Sequence, residues 1–278
     1  MKNRYYSIIA SFILITFYAC EKVVDVPLET AQERLVIEAL IAWENGTVGN
    51  EQTIKLTKTA SYYTNDIVYA TGATVTIVDT NTATIFSFTE TTPGIYTTST
   101  FVPIVGDNYR LTIAYNGSQY VGEETLLAAP AISVVDQSTA DGFSTTDPEV
   151  NVYFQDDANE NNYYHIDLLQ TRPSSGEEIN NDYYNYSDEF ENGNILHFFY
   201  EDEDIITNDT FDISLYSIST RFYHFLQLLD VQANSNAGPF SSPPANVKGN
   251  CNNITNEDLY PYGYFALFEK QNATYTFQ

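Results

Sequence analysis

The stretch YRLTIAYNGSQYVGEETL, residues 109–126, decides the fold class of this chain. Apolar and polar residues alternate along its first half, which places every second side chain on one face of a β-strand. The residues on that face are Tyr109, Leu111, Ile113 and Tyr115. Asn116 and Gly117 follow, and both tolerate the positive φ angles of a type I′ turn, so the stretch predicts an antiparallel hairpin.

Further strand-like segments precede this hairpin, separated by turn signals such as Asn45–Gly46 and Pro93–Gly94. These segments are RLVIEALIAW (34–43), QTIKLTKT (52–59), ATVTIVD (73–79), ATIFSF (83–88) and GIYTTSTF (94–101). About seven short strands within roughly a hundred residues are typical of an immunoglobulin-like sandwich. We therefore predict a mainly β protein with an N-terminal immunoglobulin-like sandwich over residues 33–128.

The remaining chain is predicted to form a linker and a second domain. Residues 129–149 are small, polar and rich in turn formers, which is typical of a linker. Strand patterns resume in residues 150–278, interrupted by a long polar insertion over residues 171–194 that is expected to be a loop. Apolar residues at i, i+3, i+4 and i+7 predict one amphipathic helix over about 219–234 in this second β-rich domain. These residues are Phe222, Phe225, Leu226 and Leu229.

The composition limits the partners that the chain can bind. Asp and Glu total 37 and Lys and Arg total 11, which gives a formal net charge of −26. Such a surface repels nucleic acid, so we expect no nucleic-acid partner. The 23 Tyr and 17 Phe residues are typical of half-exposed sheet surfaces.

The first residues have the pattern of an export signal. Lys2 and Arg4 precede an apolar run over residues 7–19. A run of about thirteen residues is too short to span a bilayer but suits the central region of a signal peptide. We therefore predict a lipoprotein signal peptide over residues 1–19.

A cysteine follows this run directly. The sequence FYAC over residues 17–20 resembles the lipobox of bacterial lipoproteins, although Phe17 stands where that motif prefers Leu. The resemblance implies that Cys20 becomes the first residue of the mature chain, carries acyl chains such as palmitate, and starts a lipidated tether over residues 20–32. Several acyl chains hold a protein stably on a membrane, whereas one holds it weakly. The alternative is ordinary secretory cleavage, which leaves Cys20 free.

Three stretches together carry a resemblance to a known family. They are CEKVVDV after the leader, the strand pattern that ends near Leu127, and GPFSSPPANVKGN (238–250) followed by GYFALF (263–268). The chain is similar to a Bacteroidota lipoprotein family of unknown function, often encoded beside TonB-dependent outer-membrane receptors. The resemblance implies an outer-membrane lipoprotein and supplies no catalytic residues. The segment CNNITNEDLYPY (251–262) departs from the family pattern.

Two stretches contain candidate ligand-binding residues. Asp156, Asp157 and Asn159 lie in QDDANENNYYH (155–165), and such a density of hard oxygen ligands favours Ca²⁺. The alternative for this stretch is a hairpin loop of Asx turns. The second stretch lies in the polar insertion and offers aromatic rings with a polar end, which are enriched at interfaces. Its candidate ligand-binding residues are Tyr183, Tyr184 and Tyr186.

No catalytic motif accompanies these candidates. His165, His197 and His224 lack the spacing of a zinc site, and neither G-x-S-x-G nor a phosphate-binding glycine loop is present. We expect a protein that is not an enzyme and carries no cofactor other than the lipid on Cys20. The predicted function is an accessory or ligand-capturing subunit of a TonB-dependent uptake system, lipid-anchored in the outer membrane, and the sequence leaves open whether the protein is exposed at the cell surface. The alternative is a structural or adhesion lipoprotein of the cell envelope.

Overall fold

The structure of the chain is a computed structural model, and most of residues 33–278 can be described. The described residues are 32–60, 66–140, 142–234 and 246–278. Glu33–Gln278 forms one compact unit. The predicted signal peptide 1–19, Cys20 and all but the last residue of the predicted tether 20–32 lie outside the described residues.

The N-terminal part is a β-sandwich. Its strands are β1 (Leu35–Glu44), β2 (Gln52–Lys58), β3 (Val68–Tyr69), β4 (Thr74–Asp79), β5 (Ile85–Thr92), β6 (Ile95–Thr98), β7 (Asn108–Tyr115) and β8 (Ser118–Thr125). Two strands from the end of the chain join it, namely β15 (Asn252–Asn253) and β16 (Tyr262–Thr276). One layer runs β16-β1-β2-β6-β5 and the other runs β5-β4-β7-β8-β15, so β5 belongs to both.

The hairpin predicted from the quoted stretch is confirmed. Strands β7 and β8 pair antiparallel, and Asn116 and Gly117 have φ angles of 53° and 78° between them. Tyr109, Leu111 and Ile113 are fully buried in the core between the two layers. The alternating pattern therefore fixes which face of the hairpin is buried, and with it the sandwich.

The second part is also β-rich. Its strands are β9 (Ile132–Ser138), β10 (Glu149–Gln155), β11 (Tyr163–Arg172), β12 (Glu177–Ser187), β13 (Ile195–Glu201) and β14 (Thr210–Ile218). Strands β13-β10-β9 form a separate sheet whose inner face packs on β11 and β14 around a second core. The stretch 129–149, predicted as a linker, contains β9.

Strand β16 joins the two parts. Its first half pairs parallel with β1, from Val36–Tyr262 to Glu44–Lys270. Its second half pairs antiparallel with β14, so the large sheet is continuous through both sandwiches. Because side chains alternate along a strand, Phe265 and Leu267 enter the first core while their neighbours face the other way.

The helix covers that other face. Helix α1 (Thr220–Asn234) packs Phe222 and Phe225 against Tyr264 and Phe268 of β16. The hydroxyl oxygen of Ser219 accepts a hydrogen bond of 3.3 Å from the Phe222 amide and so caps the first turn. The predicted mainly β fold with one amphipathic helix is confirmed.

The prediction of a loop over residues 171–194 is wrong for most of this range. Residues 177–187 form β12, which pairs along its length with β11 and is the outermost strand of the large sheet. Every residue of β12 is exposed or only partly buried at this edge of the sheet, so its polar side chains need no buried partners. For this reason the stretch lacks the alternation of apolar and polar residues by which strands are predicted from sequence.

The segment 251–262 closes the first sandwich. Cys251 is buried in the core, and burial raises the pKa of its thiol to about 12, so the thiolate is disfavoured. Further on, the ring of Tyr260 lies 3.9 Å from the guanidinium carbon of Arg34 and 3.7 Å from the ammonium nitrogen of Lys248. The cation–π contact with Arg34 therefore fastens the segment to the start of β1.

Candidate functional site

A cleft of about 640 Å³ opens where the two sandwiches meet. One wall is the end of β8 and the connection 127–130, and the opposite wall is the β10–β11 loop. The floor is the end of β14 and the start of α1. Small-molecule sites have volumes of this order and lie preferentially between compact modules, so this cleft is the candidate functional site.

All the charged side chains that line the cleft are acidic. Glu124, Asp156, Asp157 and Glu160 line it, and the described residues along its walls include no Lys, Arg or His. Tyr163 adds an aromatic surface at the same position. Carboxylates accept hydrogen bonds and attract positive charge, so the lining favours an amine or a hydroxyl-rich ligand over an anion.

Glu124, near the end of β8, is a buried acid that contacts the start of α1. It is 8% exposed, and its Oε2 atom accepts hydrogen bonds from the Ser219 hydroxyl at 3.1 Å and from the Tyr264 hydroxyl at 3.4 Å. Burial raises the pKa of Glu124, and Arg221, whose nitrogen lies 3.7 Å away, partly offsets the rise. Sequence analysis missed Glu124, although its position after Tyr120 and Gly122 in the inward alternation of β8 was the available signal.

The loop between β10 and β11 holds its own acids in place. Asp156 is 4% exposed and accepts hydrogen bonds from the Tyr164 hydroxyl at 2.5 Å and from the Gly193 amide at 2.7 Å. Asp157 accepts from the backbone and side-chain amides of Asn159 at 3.0 and 2.5 Å, which is an Asx turn. The predicted calcium site at Asp156, Asp157 and Asn159 therefore contains turn chemistry, and metal binding there stays a prediction.

The three candidate tyrosines do not form one surface. They lie in β12, where alternation places Tyr183 on one face and Tyr184 and Tyr186 on the other. Tyr183 is 49% exposed and donates a hydrogen bond of 2.6 Å to Asp230 of α1. Tyr184 packs against Phe198. A ligand on one face of the sheet therefore cannot contact all three tyrosine rings.

A polar cluster on β11 was also missed. The His165 ring lies between Asn185 and Asp167, with its nitrogens 2.8 and 3.0 Å from their side-chain oxygens. The Tyr216 hydroxyl donates to Asp167 at 2.8 Å. The pKa of Asp167 is lowered because its hydrogen bonds and the charge of His165 outweigh the effect of burial. The signal in the sequence was the placement of His165 and Asp167 two residues apart, on one face of a strand.

A second concavity, of about 550 Å³, is apolar. It lies between α1 and β1, where Leu40 and Leu229 are 50% and 39% exposed beside Leu226 and Val247. Among the described residues, no helix combines the length and apolar character needed to cross a membrane.

Comparisons with known proteins bear on the family and not on the ligand. No curated protein is significantly similar to the chain. One solved structure that resembles it is the crystal structure of chicken CNTN1 FN1-FN3 domains, with 14% sequence identity and a TM-score of 0.30. That match covers 65% of this chain, and the chain spans 57% of the length of that structure. Residues 21–274 match the family described as Domain of unknown function (DUF4249). The chain therefore belongs to the DUF4249 family.

Proposed function

We propose that this protein is an outer-membrane lipoprotein that captures a small ligand for a TonB-dependent uptake system. The sequence supports the anchor through the apolar run 7–19 and Cys20. The resemblance to Bacteroidota lipoproteins encoded beside TonB-dependent receptors supports the uptake partner. The proposed role is binding and not catalysis, with the lipid on Cys20 as the covalent group.

The cleft between the sandwiches is the observation that carries this proposal. It offers a concave volume of about 640 Å³, carboxylate acceptors on β8 and on the β10–β11 loop, and the Tyr163 ring. Small hydroxylated or amine-bearing molecules are recognised by such a combination of an aromatic surface and a few placed polar groups. We therefore assign ligand capture to the cleft and not to Tyr183, Tyr184 and Tyr186.

A pull-down of the tagged full-length chain from detergent-solubilised native membranes tests the partner. A stoichiometric TonB-dependent receptor, identified by mass spectrometry, is the expected result. Recovery of the chain alone, under conditions that preserve other receptor complexes, would overturn the uptake role. In the same strain, Cys20→Ala is expected to move the protein from the membrane fraction to the soluble fraction.

The cleft is tested by calorimetry with amine and sugar ligands. Glu160→Gln removes one exposed carboxylate from the cleft wall, and we expect weaker binding of any ligand that the parent chain binds. Glu178→Gln removes another exposed carboxylate, on β12 and outside the cleft, and serves as the matched control. Equal affinities for both variants and the parent would place the binding site elsewhere.

The alternative role in adhesion has one structural feature in its favour. On the outer face of β13-β10-β9, the rings of Tyr153 and His197 stack at 4.5 Å and 9°, and Phe199 and Phe143 continue the row. Phe143 is 94% exposed. Exposed aromatic rows of this kind mark interaction surfaces. Loss of envelope integrity or attachment in Phe143→Ser, with uptake intact, would favour adhesion.

A further inference from the structure

Two acidic loops interlock at one end of the second sandwich. The β10–β11 loop (156–162) and the β12–β13 loop (188–194) exchange hydrogen bonds. The Asn162 amide donates to Asp188 Oδ2 at 2.8 Å, and the Gly193 amide donates to Asp156 Oδ2 at 2.7 Å. Each loop therefore uses a carboxylate of its own to hold the backbone of the other.

These loops concentrate negative charge without a cationic side chain of their own. Their acids are Asp156, Asp157, Glu160, Asp188, Glu189 and Glu191, and neither loop contains Lys, Arg or His. None of the ion pairs found within the described part of the chain involves either loop. The like charges of the two loops repel each other, and a cation bound between the loops would reduce that repulsion.

A buried oxygen atom of Asp188 that has no hydrogen-bond partner is a separate observation that points to a ligand. The side chain of Asp188 is fully buried, and its Oδ2 atom faces the Asn162 amide of the opposite loop. Its Oδ1 atom is also buried, and no donor among the described residues reaches it. A buried oxygen of a carboxylate without a partner carries a large desolvation penalty, which a bound cation removes.

We propose that a divalent cation of the calcium class binds between the β10–β11 and β12–β13 loops, with Asp188 Oδ1 as a ligand. In the described residues, no three His, Cys, Asp or Glu side chains are arranged to hold a metal ion. The site must therefore take its other ligands from backbone carbonyl and amide oxygens. Ca²⁺ accepts six to eight such oxygens in flexible geometry, whereas Zn²⁺ prefers nitrogen and sulfur. This inference does not depend on ligand capture by the cleft.

Thermal unfolding of the full-length chain, purified in EDTA, tests the site at constant ionic strength. We expect CaCl₂ to raise the melting temperature and MgCl₂ to raise it less, because Mg²⁺ demands a stricter octahedral shell. Asp188→Asn keeps the shape but weakens the ligand, and we expect it to lose at least about tenfold in Ca²⁺ affinity. Glu189→Gln, an exposed neighbour on the same loop, is the matched control and should respond like the parent chain.

Two results would overturn the proposal. One is a parent chain whose melting temperature does not respond to millimolar Ca²⁺. The other is an equal response in Asp188→Asn and Glu189→Gln, which would mean general screening of surface charge.

If Asp188→Asn does not fold, terbium luminescence of the parent chain decides. Tyrosine-sensitised emission that Ca²⁺ displaces and Mg²⁺ displaces poorly supports the site, and emission without Ca²⁺ competition contradicts it. The receptor pull-down, repeated in EDTA, measures receptor binding in the absence of a bound cation. Its result therefore tests the uptake role independently of the cation site.

Discussion

The two sandwiches share β16 but contain ion pairs that differ in burial. The first core is built from apolar residues such as Ile37, Ile54 and Ile77, all at 0% exposure. Both sandwiches also bury polar side chains, among them Asp79 in the first and Gln170 and Asp209 in the second. These groups are stable only while their hydrogen bonds persist. The difference lies in the ion pairs: Asp209 of the second sandwich is buried in its pair with Arg172, whereas the Lys55–Glu38 pair of the first is exposed.

The shared strand gives the largest test of this comparison. Phe265 of β16 is fully buried in the first core. We expect Phe265→Ala to cost about 4 kcal/mol, as is typical for deletion of a core aromatic side chain. Because β16 pairs with β1 and with β14, both sandwiches should unfold in one transition.

Urea unfolding with two probes measures this result. The fluorescence of Trp43, the single tryptophan, reports on the first sandwich, and near-ultraviolet circular dichroism of the tyrosines reports on both. Phe143→Ala, at an exposed position outside the first core, is the control and should leave the transition unchanged. Two separate transitions would show that the sandwiches are independent.

The buried ion pair of the second sandwich gives the next largest effect. Arg172 donates to both oxygens of Asp209 at 2.9 Å, and Gln170 adds a third donor at 2.8 Å. Asp209 is 1% exposed. Asp209→Ala leaves these donors without their acceptor, and we expect a loss of about 3 kcal/mol in the free energy of unfolding.

The pH dependence of stability checks the same pair. Hydrogen bonds from Arg172 hold the pKa of Asp209 below its usual value. The stabilisation is therefore fully present above the usual aspartate pKa of about 4 and disappears as the pH falls through the lower folded value. The difference in melting temperature between the parent chain and Asp209→Ala should shrink in that range. A difference that stays constant down to about pH 2 would contradict the assignment.

Glu124, at the junction, should respond in the opposite direction. Burial raises its pKa, so the folded state keeps a proton that the unfolded state has already released. Its contribution to stability therefore falls as the pH rises above the usual glutamate pKa of about 4.3. We expect Glu124→Gln to be more stable than the parent chain at pH 7 and to match it at pH 4. Melting curves at both pH values measure this, and a loss at pH 7 would show that its hydrogen bonds outweigh its desolvation.

The fold was largely predictable because its signals are local. The alternation around Tyr109 and Leu111, the turn at Asn116–Gly117 and the helical spacing of Phe222 and Phe225 each depend on neighbours in the sequence. β12 was missed because an edge strand carries no requirement for an apolar face.

The candidate site was less predictable because its parts are distant in sequence. Glu124 meets Ser219 across 95 positions, and Asp188 meets Asn162 across 26. Nothing in the local pattern of either acid reports the partner. The Asp156 stretch was recognised as oxygen-rich, but only the fold shows that a second acidic loop lies against it.

The smallest predicted effect concerns an ion pair that is exposed to water. In the first sandwich, Lys55 and Glu38 approach to 3.0 Å on adjacent strands, with side chains 35% and 46% exposed. Water already solvates both charges, so the pair adds little Coulomb energy and orders two long side chains. We expect Glu38→Gln to change the free energy of unfolding by less than about 0.5 kcal/mol, and the change should vanish in 1 M NaCl. Arg172 and Asp209 are shielded from salt by burial, so the Asp209→Ala loss should persist there. If Glu38→Gln costs as much as Asp209→Ala, burial is not what distinguishes the two ion pairs.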